Sequence, residues 1–238
     1  MFVKIFEEKA HAEAFIRGDL YMQTLRMFKE HTDKSGELRG DPMEGVVAWY
    51  QPESVKLEIN GQKISSHEIS APIGIHCSTL LESNAFCLYS LNSSGHETIS
   101  APTLPDFKRV LEIHQSCYGL GSYCVAILNA TEFINRCKKA LTILDSTPNL
   151  LKTNTKLGKV RYFNELAENG ELPPEMNGFH KRSVYGNQRE YRILIGLNRE
   201  PDVYSLNVGD LSDITSEIIT PDDFNSRLEI KLPDGSIA

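Results

Sequence analysis

Gln188 and Glu190 are the residues whose types and spacing best suit chemistry in this chain. They stand at the start of residues 190–197, whose composition predicts a strand. Side chains along a strand repeat with a period of two, so the amide and the carboxylate should share one face. Such a pair could hold a sugar hydroxyl and stabilise a developing positive charge. Alternatively, Glu190 pairs with Arg192 or Arg182 on a solvated strand face, where an ion pair contributes little stability.

A second candidate site is the loop segment Arg39–Gly45, which combines an arginine, two acids and two glycines. The guanidinium can present a fork of donors to phosphate or carboxylate, and glycine lets the backbone approach a ligand closely. We group Tyr21 with this segment as a ligand-binding candidate. The alternative is a self-contained turn in which Arg39 pairs with Asp41 or Glu44.

The basic cluster around Lys181 is a third candidate, because it precedes the Gln188–Glu190 element and could meet an anionic ligand. A solvated loop is the alternative interpretation. The five cysteines include no Cys-x-x-Cys pair, which favours free thiols and predicts no metal site. His76 and Cys77 are adjacent on a predicted strand, where their side chains would diverge, so they do not form a nucleophile–base pair.

Elements that position these residues are predicted from periodicity and turn signals. Strands outnumber helices and do not alternate regularly with them, which indicates an α+β fold with a mixed or mainly antiparallel sheet, several hairpins and two to four packing helices. The Asn60-Gly61 turn joins two alternating segments and predicts a hairpin. We expect a single domain over residues 1–238, with a weak division near 145–158.

Further predicted elements follow from the same patterns. Helices are expected over residues 7–17, 105–117 and 131–144, with Gly18 ending the first of them. The third helix carries one apolar stripe that we expect to be core, formed by Phe133, Ile134, Cys137, Leu141 and Leu144. Strands are expected over residues 3–6, 46–50, 73–79, 86–91, 123–128, 159–163, 190–197, 203–208 and 228–232.

Bulk composition narrows the function classes. A formal net charge of −7 argues against general nucleic-acid binding, which needs clustered Lys and Arg. The chain contains no stretch of eighteen apolar residues, so no membrane span is expected. The N-terminus lacks the pattern of an export signal. We therefore expect a cytoplasmic protein.

The order of the candidate residues is similar to that of ADP-ribosyltransferases. Those enzymes break the nicotinamide–ribose bond of NAD through an oxocarbenium-like state that a carboxylate stabilises. They use an N-terminal basic residue or histidine, a mid-chain Ser-Thr strand and a late carboxylate element. Lys4, then Ser78 and Thr79, then Gln188 with Glu190 occur here in that order.

The chain also resembles a group of bacterial proteins from mobile elements and phage-resistance loci that includes the abortive-infection AbiGi type. The resemblance covers most of the chain and rests on short motifs, at residues 18–22 (Gly-Asp-Leu-Tyr-Met), 28, 39–45, 121–127, 132–136, 160–162, 179–181 and 185–193. It implies phage–host conflict as the context and convergence of the motifs on one site.

Two functions of different class follow. The first is an ADP-ribosyltransferase-like effector that uses NAD as substrate and requires no cofactor. Glu190 would stabilise the ribosyl cation, Gln188 would orient the acceptor, Ser78 and Thr79 would support the nicotinamide pocket, and Arg39 would hold the pyrophosphate. The second is a non-enzymatic antitoxin, sensor or inhibitor that binds a protein partner through an acidic surface. The sequence identifies neither that partner nor the oligomeric state.

Overall fold

The computed structural model describes residues 1–34, 37–93, 95–146, 152–197, 203–233, 235 and 237, with only the backbone of residues 152–154. It confirms the predicted α+β class, because strands and helices are intermixed around a largely antiparallel sheet. Of the segment 145–158, residues 147–151 lie outside the described part, and the backbone from Lys152 onward forms a strand.

The elements occur along the chain as follows. The strands are β1 (Phe2–Phe6), β2 (Asp19–Thr24), β3 (Val46–Tyr50), β4 (Leu57–Ile59), β5 (Gln62–Ile64), β6 (Ile73–His76), β7 (Asn84–Ser90), β8 (Tyr123–Ile127), β9 (Lys152–Lys159), β10 (Arg161–Phe163), β11 (Gly170–Glu171), β12 (His180–Arg182), β13 (Glu190–Leu197) and β14 (Tyr204–Asn207). The helices are α1 (Lys9–Ile16), α2 (Leu25–Glu30), α3 (Ser78–Leu81), α4 (Leu104–Leu111), α5 (Ala130–Asp145) and α6 (Pro221–Arg227).

The main sheet divides at β7. One edge of β7 pairs with β13 along its length. On the other edge, β1 pairs with the C-terminal end of β7 through Phe2 and Val3, while β2 pairs with its N-terminal end through Gln23 and Thr24. In these registers the stretch 86–88 has no strand partner on that edge. We call the opening between β1 and β2 the fork.

Helices α1 and α5 cover one face of this sheet. Phe15 of α1 and Phe133 of α5 are fully buried in the largest apolar cluster, together with residues of β2, β7 and β13. Asn129 begins α5 by accepting a hydrogen bond from the Glu132 backbone N–H at 3.0 Å, as expected of a capping residue. The predicted apolar stripe of α5 is confirmed as core, because its residues are buried in this cluster or packed against it.

Smaller sheets flank the main one. β3 pairs with β6 and β11, β10 pairs in parallel with β12, and β4 with β5 forms the predicted hairpin. The second hairpin strand ends at Ile64, because Ser65 begins a short 3-10 turn closed by a capping box with Glu68. Among the described residues, no helix is long and apolar enough to cross a membrane.

Two predicted elements are wrong in part. The strand predicted over 73–79 ends at His76, and Ser78–Leu81 forms a helical turn that buries Leu80 and Leu81 together, which an alternating strand could not do. The helix predicted over 105–117 ends at Leu111, where Asn225 of α6 hydrogen-bonds both backbone groups of Ile113.

The predicted strand over 228–232 does not form. Its described backbone makes only an isolated bridge between Lys231 and Ile237. None of its side chains is buried, so no core holds the segment in a sheet.

Candidate functional site

A buried network of charged side chains lies at the start of β13. The Arg192 guanidinium binds both carboxylate oxygens of Glu44, at 2.6 and 3.2 Å, and binds Glu190 Oε2 at 3.0 Å. The Lys181 ammonium donates to Glu190 Oε1 at 2.6 Å. Arg192 and Glu44 are inaccessible to solvent, and Glu190 is 8% exposed. The solvated strand face is therefore wrong, although the pairing of Glu190 with Arg192 is present.

Lys181 brings Gln188 and Glu190 together, and the two residues do not share one face of a strand as predicted. Gln188 ends a 3-10 segment, and Arg189 then takes a left-handed conformation with φ of 43°, so the strand begins only at Glu190. Lys181 Nζ donates to Gln188 Oε1 at 2.8 Å as well as to Glu190. The Gln188 amide also donates to the carbonyl oxygen of Leu38.

The network controls the protonation of its members. Burial by itself raises the pKa of Glu190, but the positive charges of Lys181 and Arg192 outweigh it and lower that pKa to about 2. Burial lowers the pKa of Lys181, and the charges of Glu190 and Glu44 raise it above the ordinary value. Glu190 is thus a carboxylate and Lys181 an ammonium at neutral pH.

A cavity of about 550 Å³ opens in the fork above this network. Most of its lining comes from β1, β2, β7 and the network itself. It includes Lys4, Phe6, Tyr21, Gln23, Phe86, Cys87, Tyr89, Leu38, Arg39, Lys181, Gln188, Glu190 and Arg192. This size lies within the range of small-molecule sites, and such sites combine apolar walls with a few placed polar groups.

Lys4 extends into the fork from β1. Its ammonium donates to the carbonyl oxygen of Cys87 at 2.8 Å and lies 4.4 Å from the centroid of the Phe86 ring. Burial lowers the pKa of Lys4, and the positive charge of Arg39 lowers it further, against raising contributions from Cys87 and Glu190. Lys4 therefore caps a carbonyl group for which the divided sheet provides no strand partner.

Arg39 also lines the cavity, but neither predicted partner binds it. Its Nε lies 3.1 Å from Glu37 and its Nη1 3.5 Å from Glu7, while Nη2 donates to the Leu120 carbonyl oxygen at 3.0 Å. The predicted pairing of Arg39 with Asp41 or Glu44 is therefore wrong, although residues 42–45 do form a turn that leads into β3.

The acids of that segment instead bind arginines elsewhere in the chain. Asp41 accepts from Arg182 at 3.1 Å, and Glu44 accepts from Arg192. Both carboxylates are inaccessible to solvent, so the segment is anchored on β12 and β13.

The remaining predicted site residues divide into two groups. Tyr21 lines the cavity and is 53% exposed, so it lies where the cavity meets solvent. Ser78 and Thr79 do not line it, because they begin the short helix α3, and Thr79 Oγ1 lies 3.2 Å from Cys77 Sγ. Six of the eight predicted residues therefore share one cavity, and the Ser-Thr pair does not.

Ligand atoms of His31, Asp33 and Glu37 lie within 4.8 Å of one another, a spacing that a metal ion could bridge. The Asp33 and Glu37 side chains already bind groups of the surrounding loop. Asp33 accepts from the backbone N–H groups of Arg39 and Gly40 at 3.0 and 2.7 Å, and Glu37 pairs with Arg39. We therefore assign no metal to them.

Sequence reasoning did not select Arg192 and Glu44 as site residues. A signal for Arg192 was present, since it shares the face of Glu190 while the neighbouring positions are apolar. No comparable signal marked Glu44, whose partner lies 148 positions away.

Comparison of the chain with protein-family models, with curated proteins and with solved structures found no significant match. Fold and site together define an α+β protein whose main sheet forks around a cavity, with a buried ion-pair network beneath it.

Proposed function

We propose that the fork cavity binds NAD and that the chain is an ADP-ribosyltransferase-like effector. The observation that carries this proposal is the ionised carboxylate of Glu190, which lines the cavity in a water-poor surrounding. A carboxylate so placed stabilises an oxocarbenium-like ribosyl cation electrostatically. Because its pKa is about 2, Glu190 acts as an anion and not as a general acid.

Lys181 and Arg192 position that carboxylate. Each Glu190 oxygen accepts one hydrogen bond from a buried cation, which leaves further lone pairs on both oxygens. The Gln188 amide uses one N–H on Leu38 and keeps a second N–H for an acceptor group. In this proposal Gln188 orients the acceptor beside Glu190.

Arg39 supplies a fork for the pyrophosphate. A guanidinium has five N–H donors, and three contacts to Glu37, Glu7 and Leu120 leave two donors for a ligand. Phe28 and Phe86 are among the lining residues and offer apolar surface to the ligand's rings. Ser78 and Thr79 have no role here, because they lie outside the cavity lining.

Phage–host conflict is the biological setting of the proposal and rests on the motif resemblance. Residues from several of the resembling motifs line the one cavity, namely Tyr21, Phe28, Arg39, Lys181 and Gln188. This convergence supports a common site for those motifs.

Labelled NAD tests the proposal directly. Wild-type protein incubated with labelled NAD and bacterial lysate should transfer label or consume NAD, and Glu190→Gln should reduce the rate at least ~100-fold, because the charge that stabilises the transition state is lost. Glu217→Gln is the matched control, since Glu217 is exposed and forms only a surface pair with Arg227. Circular dichroism and urea unfolding confirm that each variant is folded.

A binding measurement keeps the test independent of the stability of the network. Arg39→Gln should weaken NAD binding about tenfold or more, the loss of a charge-assisted contact, as measured by titration calorimetry. Arg109→Gln should leave binding unchanged, because Arg109 is exposed and does not line the cavity. If wild type neither binds nor consumes NAD and a partner protein co-purifies, the non-enzymatic binding function replaces this proposal.

A further inference from the structure

Lys4 is the amine in the fork that has no acid beside it. Among the described residues, no carboxylate oxygen lies within 4.0 Å of its Nζ, whereas Lys181 in the same cavity is 2.6 Å from Glu190. The Lys4 amine contacts the Cys87 carbonyl oxygen and the face of the Phe86 ring. Two lysines thus share one cavity in opposite electrostatic settings.

The setting of Lys4 makes its amine lose a proton more readily than the amine of an exposed lysine. An ammonium removed from water without a counter-ion loses its proton more readily, and burial lowers the pKa of Lys4 accordingly. The neutral amine keeps its hydrogen bond to Cys87 and has a free lone pair. An unpaired lysine in an apolar cavity is the arrangement by which proteins activate the amine as a nucleophile.

We propose that the Lys4 amine forms a Schiff base with an aldehyde or ketone bound in the fork cavity. The amine nitrogen attacks the carbonyl carbon and forms a carbinolamine. Water then leaves with the former carbonyl oxygen and both amine hydrogens, so that a C=N bond replaces the C=O bond. No oxidant or reductant is consumed, and hydrolysis reverses the reaction.

The same cavity selects the ligand class. Arg39 lies on its lining, and its three contacts leave two of its five N–H donors, while Phe28 and Phe86 are among the apolar residues of that lining. The ligand is therefore a carbonyl compound that carries an anionic group and a flat or apolar body. This inference does not depend on NAD binding, since it uses the amine of Lys4 and not the carboxylate of Glu190.

Pyridoxal 5′-phosphate is a suitable probe, because it combines an aldehyde, an aromatic ring and a phosphate. The folded protein is incubated with it at neutral pH and treated with borohydride, whose hydride converts the imine into a stable secondary amine. Peptide mapping by mass spectrometry should find Lys4 labelled at least about tenfold faster than the exposed Lys63. Lys181 should stay unlabelled because Glu190 holds its proton.

Lys4→Arg is the matched variant, since arginine keeps a donor for the Cys87 carbonyl and forms no such imine. It should lose the cavity label and keep the native circular dichroism spectrum. Fragment ions distinguish Lys4 from the amino group of Met1. Labelling of Lys63 without Lys4, or equal rates at Lys4 in folded and urea-unfolded protein, would overturn the proposal and leave Lys4 as a structural cap. These outcomes do not bear on NAD consumption, which the Glu190 variant measures separately.

Discussion

At the scale of single residues, Arg192 connects the two acids on which the site depends. Its guanidinium is inaccessible to solvent and binds Glu44 and Glu190 together. Burial of these charges is costly, and the cost is offset only while every charge keeps its partner. Glu44, which does not line the cavity, therefore holds the Arg192 guanidinium that, with Lys181, positions Glu190.

Glu44→Gln should destabilise the fold by about 3–5 kcal/mol, because it leaves the buried charge of Arg192 undercompensated. The free energy of unfolding in urea measures the loss. Glu217→Gln should change it by less than about 1 kcal/mol, since the pair of Glu217 with Arg227 is solvated. Equal effects of the two substitutions would show that the buried network contributes no more than a surface pair.

At the scale of elements, the fork depends on how sharply the chain turns between α1 and β2. Gly18 makes that turn with a φ of 98°, and an added Cβ would collide with the backbone oxygen of Gly209. The predicted role of Gly18 at the end of the helix is confirmed. Close approach to Gly209 adds a second requirement for glycine that only the fold creates.

Gly18→Ala should destabilise the protein by roughly 3 kcal/mol, the sum of left-handed strain and steric overlap. Gly61→Ala is the control, because Gly61 has a φ of 79° but open space around its Cα. Strain alone should cost it roughly 1 kcal/mol. Thermal unfolding of both variants measures the difference, and equal shifts in melting temperature would mean that the Gly209 contact is relieved at no cost.

The elements that the sequence predicted well are those with local signals. The Asn60-Gly61 turn and the stripe of α5 each depend on residues a few positions apart, and both are confirmed. The strand predicted through Ser78 and Thr79 failed because burial of Leu80 and Leu81 against other elements decides the local conformation. Tertiary packing overrides propensity at such positions.

At the scale of the whole molecule, acid stability depends on buried groups that resist protonation. His180 is 1% exposed, and among the described residues neither ring nitrogen has a hydrogen-bond partner. Burial and the charge of Arg161 together lower its pKa to about 4, against a raising contribution from Glu175. The unfolded chain therefore binds a proton between pH 6.5 and 4 that the folded chain does not.

Stability should consequently fall as pH decreases from about 6.5 to 4, by up to about 3 kcal/mol from His180. Below pH 4.5 a second loss should follow, because the folded pKa of Glu190 is about 2 and its stabilising ion pairs disappear on protonation. Urea unfolding from about pH 6.5 to about pH 2 measures both stages. His180→Leu should remove the first stage and retain the second; an unchanged pH profile would contradict the assignment to His180.

By itself, the sequence determined the α+β class, the hairpin, the main helix and a set of candidate residues, six of which line one cavity. These features depend on local periodicity, turn residues and the chemistry of single side chains. Only the tertiary structure decided that Glu190 is buried and that the acids of the Arg39–Gly45 segment bind distant arginines. The division of the sheet at β7 was also decided there. Each depends on contacts between residues far apart in the chain, which neither periodicity nor propensity encodes.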